Sequence, residues 1–175
     1  RGMSSAASDV YKRQKERPVG IQIFGANLDS MLKAVDIVEK TKPDIIDINF
    51  GCPVKKVVCK GAGAGILKDI DKMENLTREM VKRTNLPITV KTRLGWDDNS
   101  IKIVEVAERI QDAGAKAIAI HGRTRAQMYK GQADWSKIAD VKNNQRMKIP
   151  IFGNGDVSSP ETVSYTHLTL PTTYH

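Results

Sequence analysis

Cysteine is almost absent from this chain. Cys52 and Cys59 are the only two, too few for a disulfide framework, and their spacing is not that of a redox pair or a zinc site. A reducing, cytoplasmic setting without a metal is expected. Long apolar runs are missing as well. None approaches the ~20 residues needed to span a bilayer, and no charged, apolar and small-residue signal pattern opens the sequence, so no membrane role is expected. No Gly-x-Gly-x-x-Gly follows the first apolar run, which weakens a dinucleotide-binding reading. Acidic residues are outnumbered, and the net charge is +8. Residues 1–18 supply +3 of it and residues 164–175 hold no Lys, Arg, Asp or Glu, which leaves +5 for the middle. Such a balance suits a polyanionic partner such as RNA. It suits an ordinary basic surface too, and charge alone favours the latter.

What is present is an alternation. Apolar, strand-like runs at 19–24, 44–49, 88–93, 117–121 and 150–153 are separated by helical patterns. Leu28, Met31, Leu32, Val35 and Val38 follow the first run; Ile70, Met73, Leu76, Met80 and Val81 follow the second. Ile101, Val104, Ala107 and Ile110 follow the third, with Gly114 as a stop, and Trp135, Ile138 and Val141 follow the fourth, with Asp134 as N-cap. This order predicts an α/β fold with a parallel sheet. A doubly wound sheet and a (β/α)8 TIM barrel compete. Each run ends in a polar or Gly-rich loop, and polar groups at every strand end, instead of at one switch point, favour the barrel. The expected fold is a partial barrel of about five βα units, with the first two strands and the last missing. Residues 18–163 are read as the barrel. Residues 1–17 and 164–175 lack its pattern and are read as non-native or disordered tails, with native flexible tails as the alternative. The chain is read as an internal piece of a longer protein.

Chemistry is expected where the runs end. Asp47-Ile48-Asn49-Phe50-Gly51-Cys52-Pro53 reads as a buried strand that stops at Gly51, with an amide and a thiol three positions apart and Pro53 ending the ladder. A Cys on such a turn is placed for use. A lone Cys is otherwise a small buried hydrophobe, and Cys59, without that context, is read as structural. Lys91 lies on an alternating apolar run. A Lys pointing into a barrel is costly unless it meets an anion; the alternative is snorkelling to solvent. Arg93 shares its face and suits a phosphate. Gln22 both donates and accepts, and His121 at its strand end is either a ligand contact or a satisfied core residue. The turn Gly153-Asn154-Gly155-Asp156 can aim backbone N–H groups at an anion. Lys55, Lys56 and Lys60, and Arg123, Arg125 and Lys130, lie on loops at the predicted mouth, as nucleic-acid contacts or as solvated faces.

Five pieces in register resemble the tRNA-dihydrouridine synthases, FMN-dependent (β/α)8 enzymes. They are Gln22-Ile23-Phe24-Gly25, Asp47 to Pro53, Val90-Lys91-Thr92-Arg93-Leu94-Gly95-Trp96, His121-Gly122-Arg123-Thr124-Arg125 and Gly153-Asn154-Gly155-Asp156. The likeness covers about residues 18–163. It implies reduction of the C5=C6 bond of uridines in tRNA to 5,6-dihydrouridine, with hydride from reduced FMN and re-reduction by NAD(P)H. It makes Cys52 the proton donor, and an ordinary thiol, with a pKa of about 8.5, is protonated at neutral pH yet reactive. The resemblance also implies that Lys91 stabilises charge at the flavin N1/O2 edge, and that Gln22 and His121 contact the flavin. Asn154, Gly155 and Asp156 would hold the ribityl phosphate, while Asn49, Arg93, Arg123 and Arg125 would meet the substrate. The partner would be tRNA, whose target uridine must be pulled out to react. The family's first-strand Pro-Met-Ala-type loop, the loop after its eighth strand and its helical C-terminal tRNA-binding domain have no counterpart in the sequence. Two other readings compete: another FMN-dependent barrel of the dihydroorotate or dihydropyrimidine dehydrogenase type, and a non-catalytic fragment. The Asn-x-Gly-Cys-Pro and His-Gly-Arg-Thr-Arg runs favour the synthase.

Overall fold

The computed structural model describes residues 17–159. The expected tails at 1–17 and 164–175 lie outside the described residues, Arg17 apart. Five strands form one sheet: β1 (Gly20–Ile23), β2 (Ile45–Asn49), β3 (Ile88–Arg93), β4 (Ala117–His121) and β5 (Ile151–Asn154). Every pairing is parallel, and the spatial order is the chain order. A doubly wound sheet reverses strand order at a switch point. This sheet has no reversal, and it forms an arc of a (β/α)8 barrel.

The helices are α1 (Leu28–Glu39), α2 (Lys55–Val58, a single turn), α3 (Ile70–Arg83), α4 (Ile103–Asp112) and α5 (Trp135–Asn143). Alternation along the strands decides which face they cover. Ile46 and Ile48, Ile88 and Val90, and Ile118 and Ile120 are buried with Met31, Val35, Met73, Leu76, Met80, Val106, Ile110, Ile138 and Val141 of the helices. Each such aliphatic side chain contributes roughly 1.5–3 kcal/mol. The residues between them, Asp47, Asn49, Thr89, Lys91 and Ala119, are half-buried on the other face. A one-residue slip in register would exchange the two sets, so the apolar period fixes the polar face. Ion pairs between successive helices reinforce the outer layer: Arg83 to Asp36 (2.7 Å), Arg109 to Glu74 (2.6 Å) and Arg146 of the loop after α5 to Glu108 (2.7 Å).

Local signals act where the sequence places them. Asp134 caps α5 by accepting from the Ser136 N–H (2.9 Å). α4 ends in a Schellman arrangement, with the Gly114 N–H on the Gln111 carbonyl (2.8 Å) and the Ala115 N–H on that of Ile110 (3.3 Å). The expected phase of α4 needs correction. Ile101 lies outside the helix, in an antiparallel bridge to Gly95, and the buried residues are Ile103, Val106, Ala107 and Ile110. The cause is a capping box, in which Asp97 and Ser100 close a short 3-10 turn over Asp98–Ser100. The chain leaves that turn extended, and α4 starts two residues later. A buried 3-10 segment, Gly63–Lys68, was not expected from the sequence.

Among the described residues no helix is long and apolar enough to cross a membrane, and no group of three or more His, Cys, Asp or Glu could hold a metal ion.

Candidate active site

The parallel register gathers the residues singled out above. Asn49 lies beside Lys91, Arg93 beside His121, and His121 beside Asn154. Gln22 lies beside Asp47, which lies beside Thr89. Ala119, next to Lys91 on β4, leaves room on the open face. Cys52 follows three residues after β2, at the carboxyl end of the sheet, where a barrel places its chemistry.

The cysteine loop is held from three sides. Asn49 Oδ1 accepts from the Gly51 N–H (3.0 Å) and the Cys52 N–H (2.9 Å). The Cys52 carbonyl accepts from the Ala64 N–H (2.9 Å). Gly63 supports it from behind at φ +55°, and a Cβ there would come within 2.7 Å of the Cys52 oxygen, so only glycine fits. Arg93 Nε donates to the Gly51 carbonyl (2.9 Å). The Cys52 side chain remains half-exposed and its thiol free, whereas Cys59 is exposed at the end of α2. The structural role expected of Cys59 is therefore not that of a core residue.

Lys91 sits half-buried on the open face, and among the described residues it takes part in no ion pair. Burial lowers its pKa, the Arg93 guanidinium adds to this, and Asp47 opposes it. His121 is 8% exposed, and its Nδ1 is buried with no hydrogen-bond partner among the described residues. Burial, then the charges of Arg93, Lys91 and Arg123, push its pKa down to about 4 against the pull of Asp156. The imidazole is neutral at pH 7. Between about 4 and 6.5 the unfolded chain binds a proton here that the folded chain does not. Stability is therefore expected to fall as pH drops from about 6.5 towards 4. Urea midpoints measured across that range should show the decline, and His121→Gln should flatten it; an unchanged slope in the variant would assign the decline to another group.

The three arginines expected at the substrate have other partners. Arg93 is 4% exposed. Besides Gly51, it donates to the carbonyls of Thr124 (3.1 Å) and Met128 (2.7 Å) and lies over the Tyr129 ring. Arg123 is buried, donating to the carbonyls of Lys130 (3.2 Å) and Gly131 (2.6 Å) and to Asp156 Oδ1 (2.7 Å). Asp156 also accepts from the Ala133 N–H (2.6 Å); that bond and Arg123 hold its carboxyl below the usual range. Arg125 lies over the Trp96 indole, 4.6 Å from the ring centre, and Lys68 lies 3.8 Å from it. Lys55, Lys56, Lys60 and Lys130 are exposed. Two residues not singled out from sequence also line the site. Asp47 is embedded in an apolar run and reveals itself only through its cross-strand partners. Tyr129, 72% exposed beside Arg93, follows the His-Gly-Arg-Thr-Arg run, and an aromatic so close to that run was the available signal.

At the Gly153-Asn154-Gly155-Asp156 turn, Gly155 has φ +120°, and a Cβ there would approach Ala133 to 2.8 Å and His121 Nε2 to 3.2 Å. Trp135 Nε1 donates to the Gly155 carbonyl (3.0 Å), which fixes the turn beside His121 and Asn154.

Known proteins match both the sequence and the shape. In sequence, the chain is 46% identical over 147 residues to a probable tRNA-dihydrouridine synthase 1 from a Synechocystis species, covering 84% of this chain and 41% of that one. It is 41% identical over 145 residues to tRNA-dihydrouridine synthase B of Vibrio cholerae, covering 83% and 44%. The chain thus spans less than half the length of these curated relatives. In shape it is similar to the crystal structure of 2,3-dimethylmalate lyase, a PEP mutase/isocitrate lyase superfamily member, with a TM-score of 0.58, 11% identity and coverage of 94% of this chain and 57% of that one. The dihydrouridine synthase family model matches residues 2–169, and with a match of that extent the chain belongs to the dihydrouridine synthase family.

Proposed function

We propose that residues 18–163 are the FMN-binding catalytic part of a tRNA-dihydrouridine synthase that acts in the cytoplasm. The reading rests on one observation. Adjacent parallel strands and the loop after β2 bring to the carboxyl end of the sheet a free thiol, a half-buried ammonium group and an imidazole, and among the described residues the ammonium makes no ion pair and one imidazole nitrogen no hydrogen bond.

These residues suit a flavin. Lys91 takes part in no ion pair among the described residues, and the N1/O2 edge of a reduced flavin is anionic. His121 Nδ1 lacks a hydrogen-bond partner, and a flavin offers polar ring and ribityl atoms. Asn154, Gly155 and Asp156 form a turn with little side-chain bulk at its tip, which suits a phosphate. The Gln22 amide, already engaged by Asp47 (2.6 Å) and Asn49 (2.8 Å), has its orientation fixed on the same face. Bound at Lys91, His121 and the turn of Asn154, Gly155 and Asp156, FMN would supply hydride chemistry at uridine C6, with NAD(P)H as its reductant. Cys52 gives its thiol proton to C5, and the thiolate is re-protonated from solvent. The exposed Lys55, Lys56, Lys60 and Lys130 meet tRNA phosphates in a salt-sensitive way, and Arg125, which lies over Trp96, adds to them.

Flavin titration tests this reading. The chain is expected to quench FMN fluorescence on binding, and Lys91→Ala is expected to weaken binding about tenfold or slow flavin reduction. Unchanged flavin behaviour in the variant, or no binding by the parent chain, would count against the placement.

A further inference from the structure

We propose that Asp47 is a positioning residue for the cysteine loop, setting the sense of the Gln22 and Asn49 amides so that Asn49 Oδ1 faces the Gly51 and Cys52 N–H groups. The functional meaning rests on the proposed role of Cys52.

An amide side chain has two unlike ends. Asn49 holds the loop only with its oxygen towards it, since the opposite orientation would set an NH2 against two N–H donors. Its NH2 then needs an acceptor, and Gln22 Oε1 supplies one at 2.8 Å. That in turn requires the Gln22 NH2 to point the other way, to Asp47 Oδ2 at 2.6 Å. The chain of donors ends at Asp47, whose second oxygen accepts from Thr89 Oγ1 at 2.6 Å. A carboxylate is acceptor-only, so neither amide can reverse without leaving one of these contacts unmade. Four side chains on three strands thus form a directed line from Thr89 and Asp47 through Gln22 and Asn49 to the Cys52 backbone. Its parts lie at paired register positions, Gln22 with Asp47 and Asp47 with Thr89.

The test is backbone amide exchange, with the alkylation rate of Cys52 in a Cys59→Ser background as a second readout. Asp47→Ala is expected to speed exchange at Gly51 and Cys52 about tenfold while Val90 and Ile118 in the core ladder keep their protection. Asp47→Asn keeps the shape but replaces the acceptor-only end with an amide that either donates or accepts, so the sense of the line is no longer set, and it is expected to have the same effect. Combining Gln22→Glu with Asp47→Asn moves the charge one place along the line. The new carboxylate at position 22 then accepts from the new amide at position 47 and from Asn49, and protection at Gly51 and Cys52 should return. Where Asp47→Ala does not fold, the comparison of Asp47→Asn with the double variant decides. Unaltered exchange at both amides in Asp47→Asn, or no recovery in the double variant, overturns the proposal. Neither readout uses flavin or tRNA, so this outcome is separate from failure of the proposed activity.

Discussion

Cys52→Ala is expected, on the proposed acid role of its thiol, to keep FMN bound and to lower tRNA reduction by roughly 10²–10⁴-fold, the range spanned by loss of a general acid. Flavin retention follows from where the thiol is. The loop around it is held by Asn49 Oδ1, by the Ala64 N–H and by Arg93 on the Gly51 carbonyl; none of these contacts involves sulfur. Removing Sγ therefore takes away a proton source and leaves the frame. On the proposed reading the lost step would be protonation at C5, without which the charge that follows hydride arrival at C6 would not be quenched. Cys59 cannot substitute, because it lies exposed beyond α2 on the far side of a helical turn, and Cys59→Ala serves as the control with normal turnover. The measurement is single-turnover oxidation of the reduced flavin by tRNA, followed by flavin absorbance. Normal oxidation by the Cys52→Ala enzyme would remove the thiol from the reaction.

The strands and the polar face were legible because they follow from a two-residue period. Ile46 and Ile48 are apolar on one side and Asp47 and Asn49 polar on the other, and this pattern fixes both the buried face and the residues left to line the opposite one. Asn49, Cys52 and Lys91 were visible for the same reason, since a polar group set in or just after an apolar run is costly unless a partner or a ligand meets it. The partners of Arg93 and Arg123 were not legible. Charge announces a guanidinium, but the carbonyls of Gly51, Thr124, Met128, Lys130 and Gly131 that receive them belong to turns, and backbone acceptors leave no mark in residue type. The line ending at Asp47 was hidden similarly, since its members are 22, 47, 49 and 89 in sequence and meet only through register. At Ile101 the apolar period continued into a segment where Asp97 and Ser100 enforce a different turn, so the local hydrogen bonds prevailed over the helical pattern. Gly61, Gly63 and Gly65 are a signal that could have been used. Glycine at alternate positions after a functional loop marks a backbone that must pass close to another, and a Cβ at Gly63 would collide with Cys52, as one at Gly65 would with Val58.

Arg93→Leu is expected to destabilise the chain by about 3–5 kcal/mol, since three carbonyls lose a charged donor at roughly 1–3 kcal/mol each, and to lower Tm by roughly 10 °C for a domain of this size. Two loops meet on this guanidinium. Nε holds Gly51 of the β2 loop, and one terminal nitrogen holds both Thr124 and Met128 of the β4 loop. Met128 has φ +53°, a conformation that a long side chain adopts only under external constraint, and the Arg93 contact to its carbonyl supplies one. Leucine would occupy the volume but leave three carbonyls without their charged donor and Tyr129 without the cation beneath its ring. Arg93→Lys separates charge from geometry. A lysine keeps the positive charge, but its single nitrogen cannot reach loops on two sides as a planar fork does, so it should recover less than half of the loss. Thermal and urea unfolding of the three proteins measure this directly. Full recovery in Arg93→Lys would show that charge alone is required, and an unchanged Tm in Arg93→Leu would show that the β2 and β4 loops are held together by other contacts. The stability change should be accompanied by greater Cys52 mobility, because the guanidinium that holds the Tyr129 loop is the one that holds the carbonyl of Gly51, the residue before the thiol.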